Sequence, residues 1–476
     1  MEADYVINDD AYSPEEISAY ILKKVITDAE YRVGEKIRDV VITCPAYFGI
    51  NEREATKRAG EIAGLNVCAV INEPTAAALT AQFNANNKES KVIVVFDLGG
   101  GTLDITMLEI SPAKMKVIVT GGDQNMGGLN WDEKIVEFLI NAVKAETEIT
   151  NEDVLKDLIT RIELEEVASK AKHSLTVRHQ TTASFYFRGR RNYNITRQQF
   201  EEITAPLVDS AIQLMKDMLA QAAVKGYEYF DQVLLVGGST KMPMIQERFE
   251  NEFGVPVFFN DPEESVAKGA ALYGQSLSFA SEIKKRVANI MGIPSNMINI
   301  KGTDPKLIDS LSTQLAAENG MSSDMLKRGL IKISNVISKS FGVVAYNNEN
   351  KEMQIYNLIN RQSNIPIKIR QRFGTHAHNQ KRVRISVCEN LSDDTVIPME
   401  NGQLIGDAII GNLPDDLPVG SFIEIDFSIN KDGMLEVEGR EAKSQQSVKI
   451  EIETLSVISK ANTELAKRRL NSKIIA

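Results

Sequence analysis

Two aspartates and a run of glycines between apolar strands are the residues of this chain best suited to chemistry. Val92, Ile93, Val94, Val95 and Phe96 read as a buried strand, and Asp97 ends the run. Gly99, Gly100, Gly101 and Thr102 follow as a turn in which no side chain blocks the backbone, so its N–H groups can approach phosphate oxygens. A second strand, residues 103–110, leaves the turn with Asp104 near its start. Acidic side chains flanking such a turn suit a Mg²⁺ held through its waters beside a polyphosphate, because this ion takes oxygen ligands and dehydrates reluctantly. An ordinary β-hairpin shares the local pattern, so the turn has to be weighed with the elements around it.

Those elements alternate. Ser13-Pro14-Glu15-Glu16 opens a helix with a capping box, ending near Gly34. A strand over residues 39–43 runs into Cys44-Pro45-Ala46-Tyr47-Phe48, and a helix capped by Asn51 ends at Gly64. Another short strand, 67–71, turns through Asn72-Glu73-Pro74 into a helix. Beyond the hairpin come a strand at 117–120 and a loop with two glycine pairs, Gly121-Gly122 and Gly127-Gly128. A helical pattern covers 131–176, short strands surround Gly189, and Thr196 caps a long amphipathic helix. The strand 232–236 ends in Gly237-Gly238-Ser239-Thr240-Lys241, and a last helix runs from Pro262 to about Phe279. This is an α/β layer pattern. Two strand–glycine sites about 140 residues apart would face each other across a cleft, where α/β folds bind ligands.

Composition narrows the classes. The 476 residues leave room for two to four domains, and 43% hydrophobic with 25% charged residues is ordinary for a globular protein. A net charge of −11 argues against a nucleic-acid surface. Cys44, Cys68 and Cys388 are scattered and odd in number, which suits a reducing, cytoplasmic setting. The acidic start MEADYVINDD has no apolar core of a signal peptide, and no run approaches membrane-spanning length.

Five motifs in order, VVITCPAYF, INEPTAAAL, FDLGGGTLD, GGDQNMGG and LLVGGSTKMP, closely resemble the DnaK-type chaperones of the seventy-kilodalton heat-shock family. The resemblance covers nearly the whole chain except about residues 280–330. It implies an α/β actin-like ATPase fold over residues 1–279, a helical insertion and linker over 280–335, a β-sandwich peptide-binding domain over 336–455 and a C-terminal helix over 456–476. It implies ATP or ADP with Mg²⁺ as ligands. Asp97 matches the carboxylate that holds the Mg²⁺ shell, and Asp104 one near the attacking water. Gly99, Gly100, Gly101 and Thr102 match the phosphate turn, and Thr102 also matches a phosphorylated threonine of bacterial members. Glu73 matches a glutamate linking the lobes, and Pro45 with Arg53 resembles a relay of nucleotide state. Gly127 and Gly128 join the nucleotide set. Gly237, Gly238, Ser239 and Lys241 match the adenosine loop, while Lys172 and Thr176 lie on the helix lining the adenine. The implied chemistry is in-line attack of water on the γ-phosphate, governed by positioning and charge. Each residue also has a plain reading: Pro45 ends a strand, Arg53 and Lys172 are solvated helix charges, and Asp104 caps a turn.

Against that family the chain starts late. An earlier phosphate loop and a γ-phosphate lysine have no counterpart before Ser13, so the first lobe is expected to lack part of itself. The expectation is poor ATP hydrolysis and weak binding by this chain. Lys241 stands where arginine is usual, Ser169 for glutamate, and Leu129-Asn130 for an acidic pair.

The C-terminal third alternates with period two. Val383, Ile385 and Val387 share one face, as do Ile423, Ile425, Phe427 and Ile429, and Val448, Ile450 and Ile452. Several such strands suggest a sandwich. Matching the family's groove gives Val343, Tyr346, Phe373, His376, Val383 and Ile385 as peptide contacts, with core packing the alternative. The linker Ile331-Lys332-Ile333-Ser334-Asn335 is half polar, which puts coupling between the domains in question. Residues 280–329 carry helical patterns, 305–319 and 322–330, of no assigned role, and one helix follows Leu455.

The leading reading is thus an ATP-dependent chaperone binding unfolded or extended polypeptides, in a stress-response setting. A J-domain co-chaperone and a nucleotide exchange factor would be its partners, with no nucleic acid and no membrane. The alternatives are a nucleotide-independent scaffold with a degenerate ATPase lobe, a sugar kinase of the same fold, and a fragment of a longer gene.

Overall fold

The protein is described by a computed structural model covering residues 5–7, 9–84, 89–111, 114–147, 154–298, 302–323, 326, 332–411, 413–431, 433–441, 447–451 and 460–472. A short hairpin, β1 (Tyr5–Ile7) and β2 (Asp10–Tyr12), leads to α1 (Pro14–Val33). The Ser13–Glu16 capping box and a left-handed Gly34 bound α1 as the sequence suggests. β3 (Asp39–Cys44) and β4 (Asn66–Asn72) form a parallel pair joined by α2 (Ile50–Ile62). The cap of α2 is Gly49, two residues before the expected Asn51, and Asn51 is buried within the first turn. α3 (Glu73–Asn84) starts directly on the last residue of β4.

The central sheet is built on β5 (Lys91–Leu98), β6 (Leu103–Ser111) and β7 (Lys114–Asp123), an antiparallel meander. α4 (Gly128–Glu146) and α5 (Leu158–Val177) follow; the single helical pattern expected over 131–176 is interrupted between them, and residues 148–153 lie outside the described ones. Then come β8 (Gln180–Tyr186), β9 (Arg190–Thr196), α6 (Arg197–Val224), β10 (Gln232–Val236), α7 (Pro243–Phe253), β11 (Val257–Phe259) and α8 (Ser265–Met291). β10 lies parallel to β5, with β11 outside it. Every residue from Ile93 to Phe96 is buried because both faces of β5 are covered. Val94, Phe96 and Leu98 pack into a core shared with α4, α5 and α6, while Ile93 and Val95 pack against α3.

α8 continues beyond Phe279 to Met291, through the boundary expected at residue 279, and α9 (Pro305–Glu318) packs on its second half through Phe279, Ile283, Val287, Leu311 and Leu315. Most of the pattern expected at 322–330 lies outside the described residues. The half-polar linker forms β12 (Lys332–Val336), which joins the central sheet parallel to β7. Ile333 and Val336 supply its apolar contacts, and its main chain supplies the rest, so alternate polar residues do not prevent docking.

The remaining strands are β13 (Ser340–Asn347), β14 (Glu352–Ile359), β15 (Asn364–Ile365), β16 (Ile367–Gly374), β17 (Val383–Asn390), β18 (Val396–Pro398), β19 (Gln403–Ile410), β20 (Phe422–Ile429), β21 (Leu435–Glu441) and β22 (Ser447–Glu451). Two sheets, β18-β14-β13-β17-β19 and β16-β20-β21-β22, enclose a common core of Phe341, Ile385, Val387, Ile425, Phe427 and Ile429. Ile452 lies outside the described residues. α10 (Lys460–Ser472) rests on α1 and α2 through Ala466 and Leu470, and Arg469 reaches Glu16 at 3.2 Å. Among the described residues no helix is long and apolar enough to cross a membrane.

Candidate functional site

The hairpin between β5 and β6 sets two carboxylates face to face. Asp97 and Asp104 are direct cross-strand partners, and the Gly99 N–H closes the turn onto the Thr102 carbonyl at 3.0 Å. Like charges directly opposite are unfavourable in a sheet, the more so when water is removed. Asp97 is 9% exposed and Asp104 1%. Burial, then Glu73 and Asp104, push the Asp97 carboxyl up to about 8. Burial raises Asp104 to about 7, against the amides of Ala46 and Tyr47 that favour its charged form. The Ala46 N–H donates to Asp104 Oδ1 at 2.8 Å. Glu73, at the head of α3, is raised by burial as well. Three acidic groups held up in this way favour a bound cation. Among the described residues no group of three His, Cys, Asp or Glu side chains is placed to hold a metal ion.

Pro45 and Arg53 lie on the segment that turns from β3 into α2. Arg53 is buried, bonds the Asn72 side-chain oxygen and donates through Nε to the Phe48 carbonyl at 3.2 Å. It is therefore tied to β4 rather than solvated. Tyr47, from the same segment, has its hydroxyl raised to about 12, by burial first and then by Asp104 and Glu73, while bonding the Thr102 side chain. The motif containing Tyr47 was legible in the sequence, whereas its contact with Thr102 depends on the fold.

The second strand–glycine site lies beside the first, not across a cleft. β10 neighbours β5, and Gly237, at φ 83°, follows the Val236–Asp97 pair. A Cβ there would come within 2.3 Å of the Leu98 carbonyl oxygen, so only glycine fits. Ser239 Oγ donates to the Gly99 carbonyl at 2.9 Å. The N–H groups of Gly128 and Leu129 donate to the carbonyls of Gly99 and Gly100 at 2.9 and 2.8 Å, so Gly127 and Gly128 are also drawn to the turn. Gly100 and Gly101 remain exposed.

The two lysines expected near the base are both committed to carboxylates. Lys172 is buried, and its Nζ donates to Asp132 and to the Gly128 carbonyl, each at 2.8 Å. It braces α5 against the first turn of α4. Thr176 Oγ donates to the Lys172 carbonyl at 3.1 Å. Lys241 and Gly238 lie on a short 3-10 turn, where half-exposed Lys241 pairs with Glu263 at 2.7 Å. Asp132 and Glu263 carry no motif that marks them.

In the sandwich the six candidates divide. Val343 and Ile385 are buried in the common core, and Phe373 and Val383 are half-buried against it. Tyr346 and His376 are exposed, with ring centroids 4.9 Å apart.

The family model described as Hsp70 protein matches residues 1–293 and 321–473, leaving out most of the stretch that holds α9. The chain is 34% identical over 456 residues to the chaperone protein DnaK of Mycoplasma mobile, covering 94% of this chain and 66% of that protein. It is 34% identical over 465 residues to the chaperone protein DnaK of Mycoplasmopsis pulmonis, covering 96% and 67% respectively. The chain thus spans about two thirds of the length of these relatives.

Proposed function

Because the chain belongs to the Hsp70 protein family, we propose that it is a DnaK-type chaperone unit in which nucleotide at the β5–β6 turn is linked to binding of extended polypeptide by the sandwich. The family fold, an actin-like ATPase unit followed by a β-sandwich and a short C-terminal helix, is the one described above. The observation that carries the reading is the buried pair Asp97–Asp104, opposed across a glycine turn and raised to about 8 and about 7. Asp97 and Asp104 would hold a Mg²⁺ through its waters, and the ion when bound would neutralise phosphate charge. Gly100, Gly101 and Thr102 would present backbone N–H groups to the phosphates. Asp104, fixed by the Ala46 and Tyr47 amides, would orient a water or take its proton. Arg53 ties the segment after β3 to β4 through Asn72, and Glu73 stands at the head of α3. Tyr346 and His376 would meet a peptide at the surface of the sandwich, with Val343, Phe373, Val383 and Ile385 shaping the strands beneath. Clients would be unfolded or extended segments, with a J-domain protein and an exchange factor as partners, in the cytoplasm.

A nucleotide-independent scaffold is the second reading. It is favoured by Lys172 and Lys241, both already paired with carboxylates. A thermal-shift titration separates the two. Mg²⁺-dependent stabilisation by ATP or ADP supports the chaperone reading, and its absence at millimolar nucleotide supports the scaffold. Peptide binding, followed by fluorescence anisotropy with and without nucleotide, then reads the link.

A further inference from the structure

The helix that carries Arg53 begins without a cap of its own. Gly49 occupies the N-cap of α2 and offers no side chain to the orphan N–H groups of the first turn. The space a side chain would fill is taken by the sandwich. A Cβ on Gly49 would lie 2.5 Å from Glu389 Oε2 and 2.7 Å from Lys339 Nζ. Glu389, on β17, is 2% exposed, and its Oε2, with no hydrogen bond of its own among the described residues, lies at the head of α2, where the Ile50 amide favours its charged form. Its other partner is Lys339, from the turn between β12 and β13, at 2.5 Å. Lys339 also reaches Glu52 of α2 at 3.3 Å. Beside it, Ser338 Oγ donates to the Tyr47 and Phe48 carbonyls at 3.1 and 3.2 Å.

The segment from Ala46 to Arg53 is therefore gripped on two sides. Its Ala46 and Tyr47 amides hold Asp104, its Arg53 holds Asn72, and its carbonyls and helix start are held by residues 338, 339 and 389. A buried carboxylate at a helix N-terminus is favoured by the dipole and by the unpaired N–H groups. A buried glutamate without Lys339 would be strongly disfavoured.

We propose that Glu389, paired with Lys339, is the missing N-cap of α2 supplied by the sandwich, and that it is a positioning residue for Ala46, Tyr47 and Arg53 around Asp104. The importance of Asp104 rests on the nucleotide reading above; the cap itself does not. A glycine at residue 49 is what admits a cap from another domain, since any side chain there would collide with it.

The test uses the full chain without nucleotide. Glu389→Met keeps volume and removes the acceptor, and Glu389→Gln keeps an acceptor. Hydrogen–deuterium exchange of residues 46–53 is expected to rise at least tenfold in E389M and to stay near the parent level in E389Q. The double change Lys339→Glu with Glu389→Lys restores the ion pair but puts a cation at the helix start, and it is expected to leave exchange high. The Ala46 and Tyr47 amide ¹H–¹⁵N resonances are expected to move in E389M and to stay near the parent positions in E389Q. Unchanged exchange in E389M, or full rescue by the charge swap, would overturn the proposal. Should the parent chain show no nucleotide binding, the chaperone reading fails while the exchange result still decides the cap.

Discussion

Two pairs of acidic residues in this molecule behave in opposite ways. On the outer face of the β16–β20–β21 sheet, Glu424 and Asp426 stand opposite Arg372 and Arg370, with Arg440 on the other side. The Arg370 contact and Lys368 draw the Asp426 carboxyl down to about 2. At the β5–β6 turn, Asp97 stands opposite Asp104, and burial with its acidic neighbours raises it to about 8. Each is a carboxylate on a strand facing a cross-strand partner. The difference lies in what was put opposite: a cation in the sandwich, another acid at the turn. A carboxylate with its cation built in is part of the scaffold, whereas one left without is, on the function proposed above, the place where a cation would arrive.

Asp132 is a third case, buried like Asp97 but paired like Asp426, and it gives the largest expected effect. Lys172→Met strands this carboxylate beside the glycine turn and is expected to cost about 3–5 kcal/mol in chemical unfolding, as for other broken buried pairs. If Lys172 is a brace, replacing both residues by apolar ones of similar volume recovers most of the loss. If stability in K172M is unaffected while nucleotide binding falls, Lys172 is a ligand contact and the brace assignment is wrong.

Asp97→Asn sharpens the contrast from the other side. Replacing one of two facing carboxyls by a neutral amide of the same size is expected to leave the melting temperature unchanged or raised without ligand. The Mg²⁺-dependent affinity for ATP is expected to fall about a hundredfold, roughly 2.7 kcal/mol, in isothermal titration. A variant that melts lower and binds nucleotide as the parent does would make Asp97 a structural acid like Asp426.

The two regions also predict opposite responses to pH. Asp97 and Asp104 have ordinary values of 3.8 and folded values of about 8 and about 7. A raised carboxyl holds its proton more tightly in the folded state, so its contribution is complete below the ordinary value and is lost as pH rises to about 8. Asp426 is lowered, so its contribution is present above the ordinary value and is lost as pH falls toward about 2. Asp426→Asn should cost about 1–2 kcal/mol at neutral pH, the size of a hydrogen-bonded charge contact. Melts between pH 4 and about 8 should flatten in D97N and keep their slope in D426N; equal slopes in both would remove the distinction.

How far the sequence carried this division follows from what each feature depends on. The apolar run 92–96 and the glycine turn are local, so strand, turn and strand were legible, and the capping boxes at Ser13 and Thr196 bound their helices as read. Asn51 has the side chain of a cap, while the N-cap position is Gly49, which has none and sits against Glu389, far away in the chain. The half-polar linker puts coupling in question, yet its main-chain pairing with Lys114–Lys116 does not depend on side-chain type. The partners of Lys172 and Lys241 were invisible for the same reason: Asp132 and Glu263 are 40 and 22 residues away, with no pattern to point to them.

Lys241 and Glu263 give the smallest effect and the finest division. Their side chains are 45% and 63% exposed, so water screens the pair, and Lys241→Ala is expected to change stability by less than about 1 kcal/mol. That small cost is what makes the position informative. Lys241 is free to leave Glu263 for a nucleotide at little expense, which buried Lys172 is not. If Lys241 contacts the base or ribose, K241A should weaken nucleotide binding several-fold with no change in melting temperature, and Glu263→Gln, which frees the lysine, should strengthen it slightly. If both variants bind as the parent does, Lys241 belongs with the solvated surface pairs, and the nucleotide site is confined to the turn between Asp97 and Asp104.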